Sequence, residues 1–258
     1  MKKNMNIGLV LSGGGTRGVA HIGAIKAMEE HGIFPTHISG TSAGAVVGAF
    51  YASGVELTQI LDFFKTIPIF HPQKYARGKP GFIDTEKFYP DFKKLLPEDN
   101  FRALKKKLFI TGTNVMEGTL KIFDSGEVIR PILASASFPG VFTPTRIGMS
   151  YYVDGGVLNN FPIEPLRLSC DRILGIYVNP LKKIGTKDLN SAYSVLERSY
   201  KIKMAADSIQ KFKECDLVVH PEELSKYSTF NMKDLEVIFD IGYAKTKKVL
   251  EESGFAMD

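Results

Sequence analysis

The sequence predicts an α/β fold: a mostly parallel central sheet with helices on both faces. Three observations carry that expectation. The apolar run IGLVL, residues 7 to 11, reads as a buried strand and passes through a glycine loop into a helical run. The same strand–turn–helix order returns at residues 36 to 52, where THIS meets AGAVVGAFYA across SGTSAG. Apolar runs then alternate with helical ones along the rest of the chain, the pattern of a sheet covered on both sides. The 258 residues carry a net charge of +5, an ordinary globular balance, and are most simply one domain, residues 1–258.

The elements follow in order. After the first strand, SGGGTRG is a glycine loop and VAHIGAIKAMEEHG a helix, with Gly32 as its stop. THIS is the second strand. Ala43 to Ala52 is a second helix, so rich in small residues that it is expected to pack deeply. Residues 56–66 suit a third helix. Residues 67–82, IPIFHPQKYARGKPGF, hold three prolines and scattered aromatics and read as a loop or lid over the site. KLFITGTNV, residues 107–115, is a strand, and TLKIF its hairpin partner across Glu117 and Gly118. Residues 127–136 look helical. SYYV is a short strand entering DGGVLNNFP, and RILGIYV, residues 172–178, is another. LKKIGTKDLN is expected to be a mobile loop. Residues 191–213 form an amphipathic helix, DLVVH a last strand and residues 232–252 a closing helix.

Composition excludes several classes. The basic runs at Lys105, Lys106 and Lys107, at Lys182 and Lys183, and at Lys245, Lys247 and Lys248 default to a solvated face, with weak attraction to anionic membrane surfaces as their other reading. No stretch interleaves aromatic and basic residues, so no nucleic-acid partner is expected. Cys170 and Cys215 lie far apart and form neither a disulfide framework nor a metal-ligand pattern. Lys2, Lys3 and IGLVL imitate a secretion leader, but the apolar run is too short and ends in glycines. No run reaches membrane-spanning length. The expected compartment is the reducing cytoplasm.

The glycine loop has two readings. Gly13, Gly15 and Gly18 satisfy the dinucleotide spacing, but the second strand ends at Ser39 and Gly40, without the acidic residue that would hold a ribose. Val19 after Gly18 breaks the phosphate-loop pattern, so no cofactor is expected. The other reading keeps the physics: backbone N–H groups at a helix start stabilise negative charge, here the oxyanion of an acyl-transfer intermediate. Gly13, Gly14 and Gly15 supply them.

Ser42 also has two readings. A serine before a helix is a good N-cap. A cap does not require Gly40 and Gly44 on either side, whereas a sharp strand-to-helix elbow carrying a nucleophile does. A nucleophilic serine needs a base. Most of the five histidines, His21, His31, His37, His71 and His220, are better explained as structural or surface groups, with His71 and His220 left open. Asp154, followed by Gly155 and Gly156, is the stronger candidate, set against the plain turn that Asp-Gly favours.

GGGTRG, GTSAG and DGG, in this order, resemble the patatin-like phospholipases, and ASASFPGVFTP, residues 134–144, resembles the stretch that family carries before its aspartate. The likeness runs from about residue 7 to 162; residues 163–258 would complete the sheet and its helical layer. It implies a Ser-Asp dyad without histidine or metal, with Ser42 as nucleophile and Asp154 as base. It also implies an oxyanion hole at the glycine loop (Gly13, Gly14, Gly15 and Gly18) with Arg17 beside it. The implied activity is hydrolysis of lipid acyl esters. The chain is short for the family, so appended recognition or membrane domains are expected to be absent. Two alternatives stand beside this: a weakly active or non-enzymatic regulatory protein that binds a partner through the same fold, and a nucleotide-binding oxidoreductase.

Overall fold

The computed structural model describes residues 5–255. Lys2 and Lys3 of the leader comparison lie outside them. The described residues contain strands β1 (Ile7–Leu11), β2 (His37–Gly40), β3 (Lys107–Asn114), β4 (Thr119–Phe123), β5 (Thr145–Ile147), β6 (Ser150–Asp154), β7 (Arg172–Ile176) and β8 (Leu217–Val219). They form one sheet in the order β5-β6-β3-β2-β1-β7-β8, with β4 paired to β3 off that path. The pairs β1–β2, β1–β7, β2–β3 and β7–β8 are parallel. The helices are α1 (Val19–Glu30), α2 (Ala43–Ser53), α3 (Leu57–Thr66), α4 (Tyr89–Leu95), α5 (Ile129–Ser135), α6 (Ala192–Ile209) and α7 (Leu235–Ser253).

The side-chain period of two sorts β1 between two cores. Ile7, Leu9 and Leu11 join the main core, which α1, α2, α5 and α7 help to build, while Val10 joins a second cluster on the opposite face with Phe161, Ile163, Leu166, Ile173 and Tyr177. Leu9, Val10 and Leu11 are fully buried, and each such side chain contributes about 1.5–3 kcal/mol relative to exposure. That two-sided burial is why IGLVL reads as a continuous apolar run. α2 is buried along its length from Ala43 to Ala52, as its small residues predict.

Strand β3 positions the site. Its first half pairs with β2, Gly40 opposite Ile110, and its second half pairs with β6, Asp154 opposite Gly112. β4 occupies the other edge, because Ile110 pairs with both Gly40 and Phe123. β2 and β6 therefore lie end to end along one edge of β3, and their C-terminal ends converge opposite Thr111. Ser42 leaves from one end and Asp154 from the other. This juncture lies at the carboxyl ends of parallel strands, where open α/β sheets place their sites.

Two elements have no clear sequence signal. β5 is three residues long and pairs with β6 through a turn at Gly148. α4 is seven residues long and starts with Pro at its first turn.

Candidate active site

The turn from β2 into α2 shows how Ser42 is held. Ser42 stands at the N-cap of α2, yet its side chain caps nothing. Its backbone has φ 53° and ψ −123°, and it is the one non-glycine residue with positive φ among those described. Strain of this kind costs about 1–3 kcal/mol and persists only where the surroundings impose it. The flanking glycines impose it by close approach. A Cβ on Gly40 would stand 2.6 Å from the carbonyl oxygen of Gly44, and one on Gly44 would stand 2.6 Å from that of Ser12. The Ser42 N–H donates to Ser135 Oγ at 2.8 Å, and Thr41 Oγ1 lies 2.6 Å from Thr111 Oγ1.

Asp154 is 4 % exposed at the end of β6. One carboxylate oxygen, Oδ1, accepts the Gly156 N–H at 2.7 Å, and the Ser42 side chain lies close enough to the carboxylate to lower its pKa. Burial pushes its pKa up from 3.8 to about 6, against the Gly156 N–H and the Ser42 side chain, which pull it down. Gly155 and Gly156 start the turn that follows, so DGG is both a turn and the seat of the carboxylate.

The glycine loop lies against the same space. Gly14, Gly15, Thr16, Arg17, Ser42 and Asp154 all line one cavity. Gly13 differs from its expected part: its N–H donates to the Asn160 carbonyl at 3.3 Å, because the loop must pair with that backbone to leave β1. The N–H groups of Gly14 and Gly15 have no acceptor among the described residues. Gly15, at φ 58°, opens a short 3₁₀ turn that ends at Gly18. Arg17 is buried; its Nη2 donates to Asn179 Oδ1 at 2.7 Å and its Nε to the Gly14 carbonyl at 3.4 Å. Asn179 Nδ2 in turn donates to the Gly13 carbonyl. Two loop carbonyls are thus tied back. Burial lowers the pKa of Arg17 to about 10, still a cation at neutral pH.

The cavity beyond Ser42 is walled by apolar side chains, Val46, Phe63, Phe64, Phe92, Leu133 and Met232 among them. Its volume is about 140 Å³. An apolar cavity of about 150 Å³ stays dry and holds a benzene-sized guest, so this one suits a run of methylenes. Ile67 and Ile69 of the proline-rich segment line it, whereas Phe82 of the same segment is 76 % exposed and does not. Phe138 and Phe142 come from the ASASFPGVFTP stretch, whose Ser135 holds the elbow.

Each histidine is engaged elsewhere. His21 Nε2 sits 2.8 Å from the Ser12 carbonyl, and burial lowers its pKa to about 4. His31 Nδ1 meets the Ala27 carbonyl, His37 meets Thr36, and His71 accepts from the Gln73 N–H. His220 packs edge-on against Tyr177 and Phe212. Among the described residues no cluster of His, Cys, Asp or Glu could hold a metal ion.

Four residues at the site carried no sequence signal. Asn160 is 3 % exposed, lines the cavity, and neither polar atom of its side chain has a partner among the described residues. Tyr200 of α6 also lines it, with its hydroxyl unpartnered and its pKa raised by burial and by Asp154. Thr229 brings its carbonyl to the Thr16 N–H at 2.8 Å, and Phe230 adds a ring to the wall. Only Asn160, adjoining DGGVLN, stood close enough in sequence to a motif to be suspected.

The sequence profile described as patatin-like phospholipase matches residues 9–167. Lysophospholipase NTE1 of Debaryomyces hansenii is 32 % identical over 170 residues, covering 64 % of this chain and 11 % of that protein. Lysophospholipase nte1 of Emericella nidulans is 26 % identical over 95 % of this chain and 18 % of its own length. The chain thus spans less than a fifth of those relatives. The crystal structure of VipD from Legionella pneumophila shares the fold, with TM-score 0.59 and 17 % identity over 97 % of this chain and 67 % of that one.

Proposed function

This chain belongs to the patatin-like phospholipase family, and on that premise we propose that it hydrolyses carboxylic esters of lipids, with Ser42 as nucleophile and Asp154 as base. The observation that carries the reading is the placement of Ser42: it stands on a strained backbone, caps no helix, and lies beside a buried carboxylate whose pKa it lowers.

The chemistry follows from that contact. Ser42 Oγ adds to the ester carbonyl carbon as its proton passes to Asp154. The carbonyl oxygen becomes an oxyanion facing the N–H groups of Gly14 and Gly15, and each such donor is worth about 2.7–4 kcal/mol of transition-state stabilisation. The tetrahedral centre collapses, the C–O bond to the alcohol breaks, and Asp154 returns the proton to the departing alkoxide. Water then adds to the acyl-serine, giving its proton to Asp154, and the second collapse releases the fatty acid as Ser42 recovers that proton. Arg17 and Asn179 hold the loop so that its N–H groups stay on the cavity side. The acyl chain occupies the apolar cavity.

The relatives named as lysophospholipases make single-chain phospholipid esters the first substrates to try. In this reading residues 7–162 and 163–258 act as one domain on lipid at a membrane surface, in a reducing compartment that suits the unpaired Cys170 and Cys215. Among the described residues no helix is long and apolar enough to cross a membrane. Turnover of a lysophospholipid and of a simple aryl ester by wild type and Ser42→Ala tests the proposal. We expect wild type to hydrolyse both and Ser42→Ala, folded by circular dichroism, to lose at least a thousandfold. Equal rates would end it.

A further inference from the structure

A second chamber adjoins the acyl cavity. The two share Arg17, Asn179, Lys201 and Met204 in their linings, so Arg17 stands at the neck between them. One wall is a single face of α6: Ser194, Glu197, Arg198, Lys201 and Met204 recur at helical spacing. The loop from Pro180 to Ile184 and the segment from Ser225 to Ser228 close the other sides. The first chamber is apolar, whereas this one is lined by Arg17, Lys182, Arg198, Lys201 and Lys226 against only Asp188 and Glu197.

The carboxylates leave the cations in excess. Glu197 pairs with Lys201 at 2.8 Å, and Asp188 accepts the Gly185 N–H at 2.9 Å. Arg198 donates to the Lys182 carbonyl, a neutral acceptor. Lys182, Lys226 and the buried Arg17 have no ion pair among the described residues. Cations gathered around a cleft without matching carboxylates favour an anionic guest. A choline-type cation is instead recognised by a cage of aromatic rings, and Tyr227 is the only aromatic side chain among those described in this lining.

We propose that this second chamber receives the phosphate-bearing alcohol portion of the lipid ester and selects a headgroup of net negative charge over a choline headgroup. The inference rests on the ester-hydrolase reading of Ser42. With the acyl chain in the apolar cavity and the ester carbonyl at Ser42, the alcohol side exits past Arg17 into the cationic chamber. Lys182, Arg198 and Lys226 are then specificity residues for the leaving alcohol.

The test compares kcat/KM for four esters of one acyl chain, all below their micelle concentrations: lysophosphatidic acid, lysophosphatidylglycerol, lysophosphatidylcholine and an uncharged monoacylglycerol. We expect the two anionic esters to exceed the choline ester by about tenfold or more at low salt, as charge-assisted contacts predict. The gap should narrow in 0.5 M NaCl as the chamber is screened. Lys226→Glu and Arg198→Ala should each lower the ratio of anionic to uncharged turnover. Glycerol 3-phosphate should inhibit more strongly than inorganic phosphate. Inhibition by the two to the same degree would identify a free phosphate site and overturn the headgroup assignment. Turnover of the uncharged ester with no headgroup preference, or with unchanged ratios in both variants, would overturn the chamber's role and leave the Ser42 reading intact. No turnover of any ester would overturn both.

Discussion

In the proposed reaction Asp154 is the base, and its protonation would set the pH at which the site works. Burial holds its pKa at about 6, so the carboxylate needed as base is present above that pH and is lost as pH falls through it. We expect kcat/KM to decline below pH 6 with a single acid limb. Free imidazole titrates near 6.5, so the position of that limb does not separate an aspartate base from a histidine; substitution does. The proposed oxyanion donors of the loop call for a different probe. A Cβ on Gly14 would meet Val178 Cγ2 at 2.5 Å, and Gly15 needs its positive φ, so alanine at either position disturbs packing as well as chemistry. Amide NMR avoids this. On phosphonylation, the Gly14 and Gly15 N–H resonances should move downfield more than that of Gly13, which is bonded to Asn160. A larger shift at Gly13 would reassign the donors.

At the scale of elements, the elbow between β2 and α2 is the most constrained. Ser135→Ala removes the acceptor of the Ser42 N–H, and a buried donor left alone costs about 1–3 kcal/mol. We expect that loss of stability by urea titration, together with weaker turnover; an unaffected variant would show that the elbow holds itself. Much of this element was legible in the sequence because its constraints are local. Glycines two residues either side of a serine, between an apolar run and a small-residue helix, specify a tight turn without knowledge of the rest of the chain. The glycine loop and DGG were legible for the same reason. The cavity wall was not, since it is assembled from contacts across the chain. Thr16 bonds to Thr229, Phe138 meets Tyr200 and Phe230 edge-to-face, and nothing near residues 200 or 230 marks them. β5 escaped because three residues carry no periodicity. The segment 67–82 was legible in part: Ile67 and Ile69 reach the cavity while Phe82 turns out to solvent. If this segment is the lid its prolines suggest, hydrogen exchange there should be faster than in β1 and slow on phosphonylation. Protection equal to that of β1 in both states would rule the lid out.

For the whole molecule, two buried titratable groups oppose one another. Asp154, raised from 3.8 to about 6, costs stability as pH rises through that window, because the folded chain must then bury a charge. His21, lowered from 6.5 to about 4, costs stability as pH falls through its own window, because the unfolded chain takes up the proton more readily. Each displacement corresponds to roughly 3 kcal/mol at 1.36 kcal/mol per pKa unit. From these two groups, wild-type stability should stay nearly level between pH 4 and pH 6. Asp154→Asn should be more stable than wild type at pH 7 and should lose about 3 kcal/mol on acidification; parallel pH profiles for the two proteins would contradict the balance. The same variant serves the central claim, that Asp154 activates Ser42 without histidine. The most direct measurement is the rate and site of labelling by a fluorophosphonate, mapped by peptide mass spectrometry. It is made on wild type, Asp154→Asn and the folded alanine variants of His21, His31, His37, His71 and His220. The account predicts an adduct on Ser42 alone, retained in every histidine variant and nearly abolished in Asp154→Asn. An adduct on Ser12, Ser135 or Ser137, or a folded histidine variant that labels as slowly as Asp154→Asn, would contradict it.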